Sequence, residues 1–213
     1  MDFISEKLTE YISENSNTEP EILAKLNEET YQKVLQPRML SGHIQGRFLS
    51  MISKMKSPSC ILEIGTYTGY GTLCLAEGLS DGGKIFTIDR NEELLKIQNK
   101  YFEMSGKRDK IIQLTGNAKD ILENLDESYD IVFIDFQNGT ESIERKSELV
   151  QKTIELCNAH KSSEKPLVVV GASMGGVVAR HAICSMEQNS EEHCTRLFAS
   201  IDGPHRGANI SPG

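Results

Sequence analysis

The feature that most constrains the fold is a glycine-rich turn that joins an apolar run to a helical pattern, at residues 61–72. The run Ile61-Leu-Glu-Ile64 leads into this turn, and the next apolar run, 84–88, ends in Asp89. A strand, a glycine turn, a helix and a second strand that ends in an acid are the parts of a nucleotide-binding βαβ unit. Glycines let the backbone pass close to a ligand, and the acid is placed to accept hydrogen bonds from ribose hydroxyls. The G-x-G-x-x-G spacing of dinucleotide-binding proteins is absent.

Hydrophobic periodicity predicts alternating strands and helices along the rest of the chain. The predicted strands are 60–64, 84–88, 110–114, 130–134, 167–170 and 196–201. The predicted helices are 3–15, 20–35, 39–55, 70–80, 91–105, 117–125 and 141–159, and a last helix follows Gly176 and runs to about Gln188. This alternation predicts an α/β fold, a three-layer, doubly wound and mainly parallel Rossmann-like sheet with N-terminal helices packed on one side. For 213 residues, one domain spanning 1–213 is the default expectation.

Composition narrows the function classes. A net charge of −8 and a pI near 5.2, with no basic stripe, argue against a nucleic-acid partner. No apolar run reaches the ~18–20 residues that a membrane span requires, and the acidic, amphipathic N-terminus is unlike a signal peptide. We therefore expect a cytoplasmic protein that acts on a small molecule.

Five segments of residues 36–135 carry a family resemblance. They are RMLSGHIQGR (38–47), LEIGTYTGY (62–70), ID (88–89), GNA (116–118) and YDIVFID (129–135). In this order they resemble the small cation-dependent O-methyltransferases of the caffeoyl-CoA and catechol type. The resemblance implies S-adenosylmethionine as cofactor, with its ribose at Asp89, its adenine at Ala118, its methionine end at Ser41, and Glu63, Gly65, Thr66 and Gly69 along its length. Family members often dimerise through N-terminal helices, so the resemblance also implies a homodimer as an option.

The same resemblance makes Asp135 the first of three metal ligands. A Mg²⁺ ion prefers oxygen ligands and would lower the pKa of the attacking hydroxyl group. The family supplies the other two ligands as an Asp-Asn pair after the next strand, where this chain has VGASMGG (170–176). The sequence therefore predicts an intact cofactor half and an incomplete metal site.

The segment Gly171-Ala-Ser-Met-Gly175 fits the pattern G-x-S-x-G between a strand and a helix. Together with the segment that starts at Asp202, it makes residues 135–213 similar to an internal fragment of a lipase-like α/β-hydrolase. The resemblance implies Ser173 as nucleophile and the Met174 backbone N–H as half of an oxyanion hole. The triad acid and histidine, which that family places later in the chain, have no counterpart here.

The chain thus reads as a composite of a methyltransferase-like part, 1–135, and a hydrolase-like part, 136–213. Natural recombination, design and a misassembled gene all fit this interpretation. We expect the strands at 130–134 and 167–170 to lie side by side. Three hypotheses follow: an O-methyltransferase-like protein that binds S-adenosylmethionine, a serine esterase with an incomplete triad, and a chimeric scaffold without activity.

Overall fold

The computed structural model describes residues 5–136 and 141–207. The chain divides into two compact units. The first unit comprises Met1–Gly116 and Asp130–Gln137, and the second comprises Asn117–Tyr129 and Asn138–Gly213. The chain therefore leaves the first unit after Gly116 and returns to it for a short segment.

The first unit contains helices α1–α5 and strands β1–β4. The elements are α1 (Glu6–Glu14), α2 (Glu21–Lys33), α3 (Gly42–Lys56), β1 (Cys60–Ile64), α4 (Tyr70–Leu75), β2 (Lys84–Asp89), α5 (Leu95–Met104), β3 (Ile111–Thr115) and β4 (Ile131–Ile134). Short 3₁₀ turns at Pro37–Met39, Ala76–Gly78, Glu92–Leu94 and Arg108–Lys110 adjoin these helices and strands.

Strands of the first unit form one parallel sheet in the order β3-β2-β1-β4. Ile61 of β1 pairs with Ile85 of β2 on one side and with Ile131 of β4 on the other. A strand covered on both faces reads as a continuous apolar run, and β1 is buried from Ile61 to Ile64. Helices α2 to α5 supply the rest of the core, which includes Leu23, Leu26, Leu49, Tyr70, Leu73, Cys74, Tyr101 and Phe102.

The second unit contains α6 (Ala118–Leu122), α7 (Ile143–His160), β5 (Leu167–Ala172), α8 (Met174–Gln188) and β6 (Thr195–Ile201). Strands β5 and β6 pair in parallel as a separate two-stranded sheet. Helix α7 packs against α6 and α8, and it buries Val150 and Ile154 while α8 buries Val178 and Met186. The expected side-by-side pairing of β4 with β5 is wrong for the described residues, because β5 takes β6 as its partner.

The predicted α/β class with a parallel central sheet is confirmed. Predicted strands begin and end within two residues of the observed ones, because apolar runs bounded by turn residues mark them. The organisation into parts 1–135 and 136–213 of one domain stays a prediction. No helix within residues 5–136 and 141–207 combines the length and apolar character that crossing a bilayer requires.

Candidate functional site

A narrow cleft opens in the first unit where β1 and β4 end. Its walls come from three places: the segment before α3, the turn between β1 and α4, and the end of β4. The lining residues are Met39, Leu40, Ser41, Glu63, Gly65, Thr66, Tyr67, Tyr70, Gly71, Phe133 and Asp135. In parallel α/β sheets, ligands bind at the carboxyl ends of the strands, so the cleft lies where the fold predicts a site.

Gly65 lets two strand ends meet at the floor of this cleft. Its φ is +103°, and its amide donates to the Ile88 carbonyl at 2.9 Å. A Cβ atom at this position would lie 2.5 Å from the Asp135 carbonyl oxygen. Any side chain would therefore collide with backbone, which explains the glycine independently of any ligand.

Glu63 is a buried carboxyl at the centre of a hydroxyl network. Its Oε2 accepts hydrogen bonds from Thr72 Oγ1 and Thr87 Oγ1, each at 2.5 Å. Because Thr87 uses its proton on Glu63, the 2.5 Å contact between Thr66 and Thr87 hydroxyls has Thr66 as donor. Burial raises the pKa of Glu63 to about 8 despite the two threonine donors, and Asp135 and Asp89 add to the rise.

Asp89, at the end of β2, holds the backbone of the glycine turn. One carboxylate oxygen accepts from the Tyr67 amide at 2.7 Å, and the other accepts from the Asn91 amide at 2.9 Å. Its side chain is 7% exposed. Sequence reasoning predicted ribose binding for Asp89, and this structural contact to Tyr67 was not anticipated. The ribose contact stays a prediction.

Five of the predicted first-unit site residues line the cleft: Ser41, Glu63, Gly65, Thr66 and Asp135. Gly69 is placed differently, since a Cβ there would lie 2.5 Å from Phe102 Cε1 and its φ is +92°. It therefore allows the turn to pack against α5. Ala118 is the first residue of α6 in the second unit, behind the Asn117 cap, and its predicted adenine contact stays a prediction.

Asp135 was predicted as a metal ligand. Burial raises the pKa of its carboxyl group. Over the described ranges, 5–136 and 141–207, no group of three His, Cys, Asp or Glu side chains is arranged to hold a metal ion. The incomplete metal site therefore stays a prediction.

Several lining residues were missed by sequence reasoning. Tyr67 and Tyr70 lie inside the recognised motif, and Phe133 lies in the apolar run of β4. Tyr70 donates to Glu19 Oε1 at 2.5 Å, and burial is the main reason why the pKa of Tyr70 is raised. The available signal was an aromatic residue within the glycine motif: Tyr70 adjoins two glycines, and Tyr67 stands two residues after Gly65. Phe133 carried no such signal, because strand apolarity alone explains it.

The second unit contains a sharp strand-to-helix turn at Ser173. This residue has φ +50° and ψ −124° between β5 and α8, a conformation that is strained for a residue with a Cβ atom. Its amide donates to the Ile201 carbonyl at 2.8 Å. Gly171 makes the turn possible, since a Cβ there would lie 2.5 Å from the Gly175 carbonyl. Met174 starts α8, so its N–H belongs to the first turn of that helix.

The parallel sheet and the cleft at its carboxyl edge define a Rossmann-like α/β protein. The O-methyltransferase family matches residues 13–157, more than half of the chain, and the chain belongs to this family. The match continues past Asp135, the predicted junction. The interpretation of residues 136–213 as a hydrolase fragment stays a prediction from the sequence pattern.

Similar proteins share parts of this chain. Transmembrane O-methyltransferase of Homo sapiens is 31% identical over 91 residues, covering 42% of this chain and 31% of that protein. Caffeoyl-CoA O-methyltransferase 1 of Nicotiana tabacum is 35% identical over 139 residues, covering 62% of this chain and 58% of that protein. An O-methyltransferase from Bacillus cereus in complex with SAH is 25% identical with a TM-score of 0.61, over 73% of this chain and 68% of that one. The chain thus spans less than two thirds of the length of the two curated relatives.

Proposed function

We propose that this protein binds S-adenosylmethionine in the cleft of the first unit and transfers the methyl group to an oxygen atom of a small molecule. The observation that carries the proposal is the cleft itself, in which the family motif places Gly65 and the buried Glu63 at the end of β1. Family membership and the similarity to a protein in complex with SAH support it.

The described residues suit the binding of such a cofactor. Asp89 presents at the end of β2 the carboxylate oxygens that accept hydrogen bonds from hydroxyl groups, and Ser41 offers a hydroxyl at the methionine end. When bound, S-adenosylmethionine supplies a methyl group on positively charged sulfur. Because transfer is an in-line displacement, holding the acceptor oxygen in line contributes most of the rate.

We infer that Asp135, which lines the cleft after β4, receives the proton of the acceptor hydroxyl group. Its pKa is raised by burial, and a carboxylate of raised pKa is a better general base than an exposed one. Asp135→Asn should lower kcat about a hundredfold while the affinity for S-adenosylhomocysteine changes little.

Calorimetric titration with S-adenosylhomocysteine tests cofactor binding. We expect micromolar affinity for the wild type and a loss of about tenfold or more in Asp89→Ala, since a charged hydrogen-bond acceptor is removed. Asp81→Ala is the matched control, because Asp81 is an exposed turn residue of the same unit. A folded Asp89→Ala protein with unchanged affinity would rule out the proposed ribose contact. No binding by the folded wild type would rule out the function.

A second candidate function is ester hydrolysis at Ser173. The observation in its favour is the strained backbone at Ser173, which presents a hydroxyl at the tip of a strand-to-helix turn. A fluorophosphonate should then label the protein stoichiometrically, Ser173→Ala should abolish labelling, and Ser185→Ala, within α8, should leave it intact. Absence of labelling would remove this candidate. If cofactor binding also failed in a cooperatively melting protein, the inactive scaffold would remain.

A further inference from the structure

A serine and a histidine form a hydrogen-bonded pair at the carboxyl end of β6, in the second unit. Ser200 Oγ lies 2.8 Å from His205 Nε2. Ser200 is the last residue but one of β6 and pairs with Gly171 of β5. Both members of the pair are exposed. Because ligands bind at the carboxyl ends of parallel strands, the pair lies where a small two-stranded sheet can meet a molecule from solution.

The imidazole ring of His205 is held in place by its neighbours. Its centroid lies 6.4 Å from that of the Phe198 ring at an interplanar angle of 75°, the edge-to-face arrangement that aromatic rings favour. The His205 amide donates to the Gly203 carbonyl at 2.9 Å. A Cβ atom at Gly203 would lie 2.9 Å from His205 Nε2 and 2.3 Å from Ser200 Oγ. The glycine therefore leaves the space in which the hydroxyl and the ring nitrogen meet.

The first turn of α8 lies on another side of the Ser200 hydroxyl. A Cβ atom at Gly176 would lie 2.4 Å from Ser200 Oγ, so the hydroxyl is next to the start of this 15-residue helix. The N-terminus of a helix carries a partial positive charge. Negative charge that develops on an oxygen atom beside Ser200 would therefore be stabilised.

A second Ser–His contact in the same unit shows what distinguishes this pair. His181 Nδ1 lies 2.9 Å from Ser147 Oγ, and Ser147 donates to the Glu144 carbonyl at 2.9 Å. Since Ser147 uses its proton there, His181 is the donor of the contact and cannot act as a base towards it. Ser147 is also only 1% exposed. Contact with a histidine therefore makes a serine reactive only where the hydroxyl can donate to the ring and reach solvent, as Ser200 can.

We propose that Ser200 attacks the carbonyl carbon of an unhindered carboxylic ester, with His205 as its general base. The hydroxyl donates to Nε2, which places the imidazole proton on Nδ1. As Oγ forms a bond to the acyl carbon, its proton passes to Nε2, and the same proton leaves on the alcohol when the ester C–O bond breaks. Water then releases the acid from the acyl-serine in the same way. Ser200 and Ser173 are thus alternative nucleophiles for one class of reaction, and neither depends on methyl transfer.

Reaction of the full chain with a fluorophosphonate, followed by mass-spectrometric mapping of the modified peptide, distinguishes the two serines. We expect modification at Ser200 that persists in Ser173→Ala and is lost in Ser200→Ala. His205→Gln, which keeps a polar side chain but cannot take the proton, should slow the modification about a hundredfold or more. His181→Gln is the matched control, because it removes the imidazole of the other Ser–His contact, and it should react at the wild-type rate.

The outcomes separate the proposals. Modification of Ser173 with Ser200 unmodified would overturn the role of Ser200 and support the second candidate function. A protein that is not modified at all would overturn both serines as nucleophiles. An unchanged rate in His205→Gln would rule out His205 as the base. Imidazole added to His205→Ala should restore modification of Ser200, and failure of this rescue would contradict a chemical role for the ring. Titration with S-adenosylhomocysteine tests the methyltransferase proposal separately from all of these results.

Discussion

Two glycines of the first unit share a left-handed backbone but differ in their surroundings. Gly65 has φ +103° and no room for a Cβ atom, whereas Gly82 has φ +73° and nothing within 4 Å of that position. Gly82→Ala should cost about 1 kcal/mol of unfolding free energy, the penalty of the left-handed region alone. Gly65→Ala should cost about 1–3 kcal/mol more, because the Asp135 backbone must move. Urea denaturation of both variants measures the difference, and equal losses would contradict the crowding at Gly65.

Glu63 should make the stability of the protein depend on pH. Its pKa is raised from 4.5 to about 8 in the folded protein, so the unfolded chain loses this proton at lower pH than the folded one. The stabilisation is fully present below pH 4.5 and is lost as the pH rises through 8. Wild-type unfolding free energy should therefore fall relative to Glu63→Gln between these values, by up to about 1.4 kcal/mol per pH unit. The exposed Glu103→Gln should keep the wild-type profile, and parallel profiles for wild type and Glu63→Gln would refute the assignment.

At the scale of elements, local sequence patterns predicted where each strand begins and ends, but they did not predict which strands pair. The apolar run of β1 and its bounding turn residues define Cys60–Ile64 without knowledge of the rest of the chain. The partner of β5 could not be found in this way, because β4 and β6 offer similar apolar runs and pairing depends on the packing of distant segments. The same limit applies to Gly69, whose neighbour Phe102 lies on another helix. The motif located Glu63, Gly65 and Thr66, but no motif marks the lining residue Phe133.

Cofactor binding should slow hydrogen exchange in the first unit more than in the second, because every lining residue of the cleft belongs to the first unit. Hydrogen exchange with and without S-adenosylhomocysteine is expected to slow at the glycine turn, residues 64–71, and at the end of β4. Exchange across β5, α8 and β6 should stay unchanged, because binding suppresses only those openings that disrupt the site. If exchange at residues 167–201 slowed as much as at the glycine turn, the site would extend into the second unit.

The discontinuous first unit has a consequence for synthesis on the ribosome. Strand β1 pairs with β4 through Ile64 and Ile134, but the segment 117–129, which belongs to the second unit, is translated between them. At about 5–20 residues per second, synthesis of the residues between β1 and β4 takes several seconds, and one edge of β1 has no partner strand during that time. During that interval the nascent chain exposes an apolar strand edge that can pair with other chains. Slow or paused translation before residue 131 would therefore lengthen this exposure. The yield of folded protein should then depend on chaperones that cover the nascent chain, and not only on the stability of the folded state.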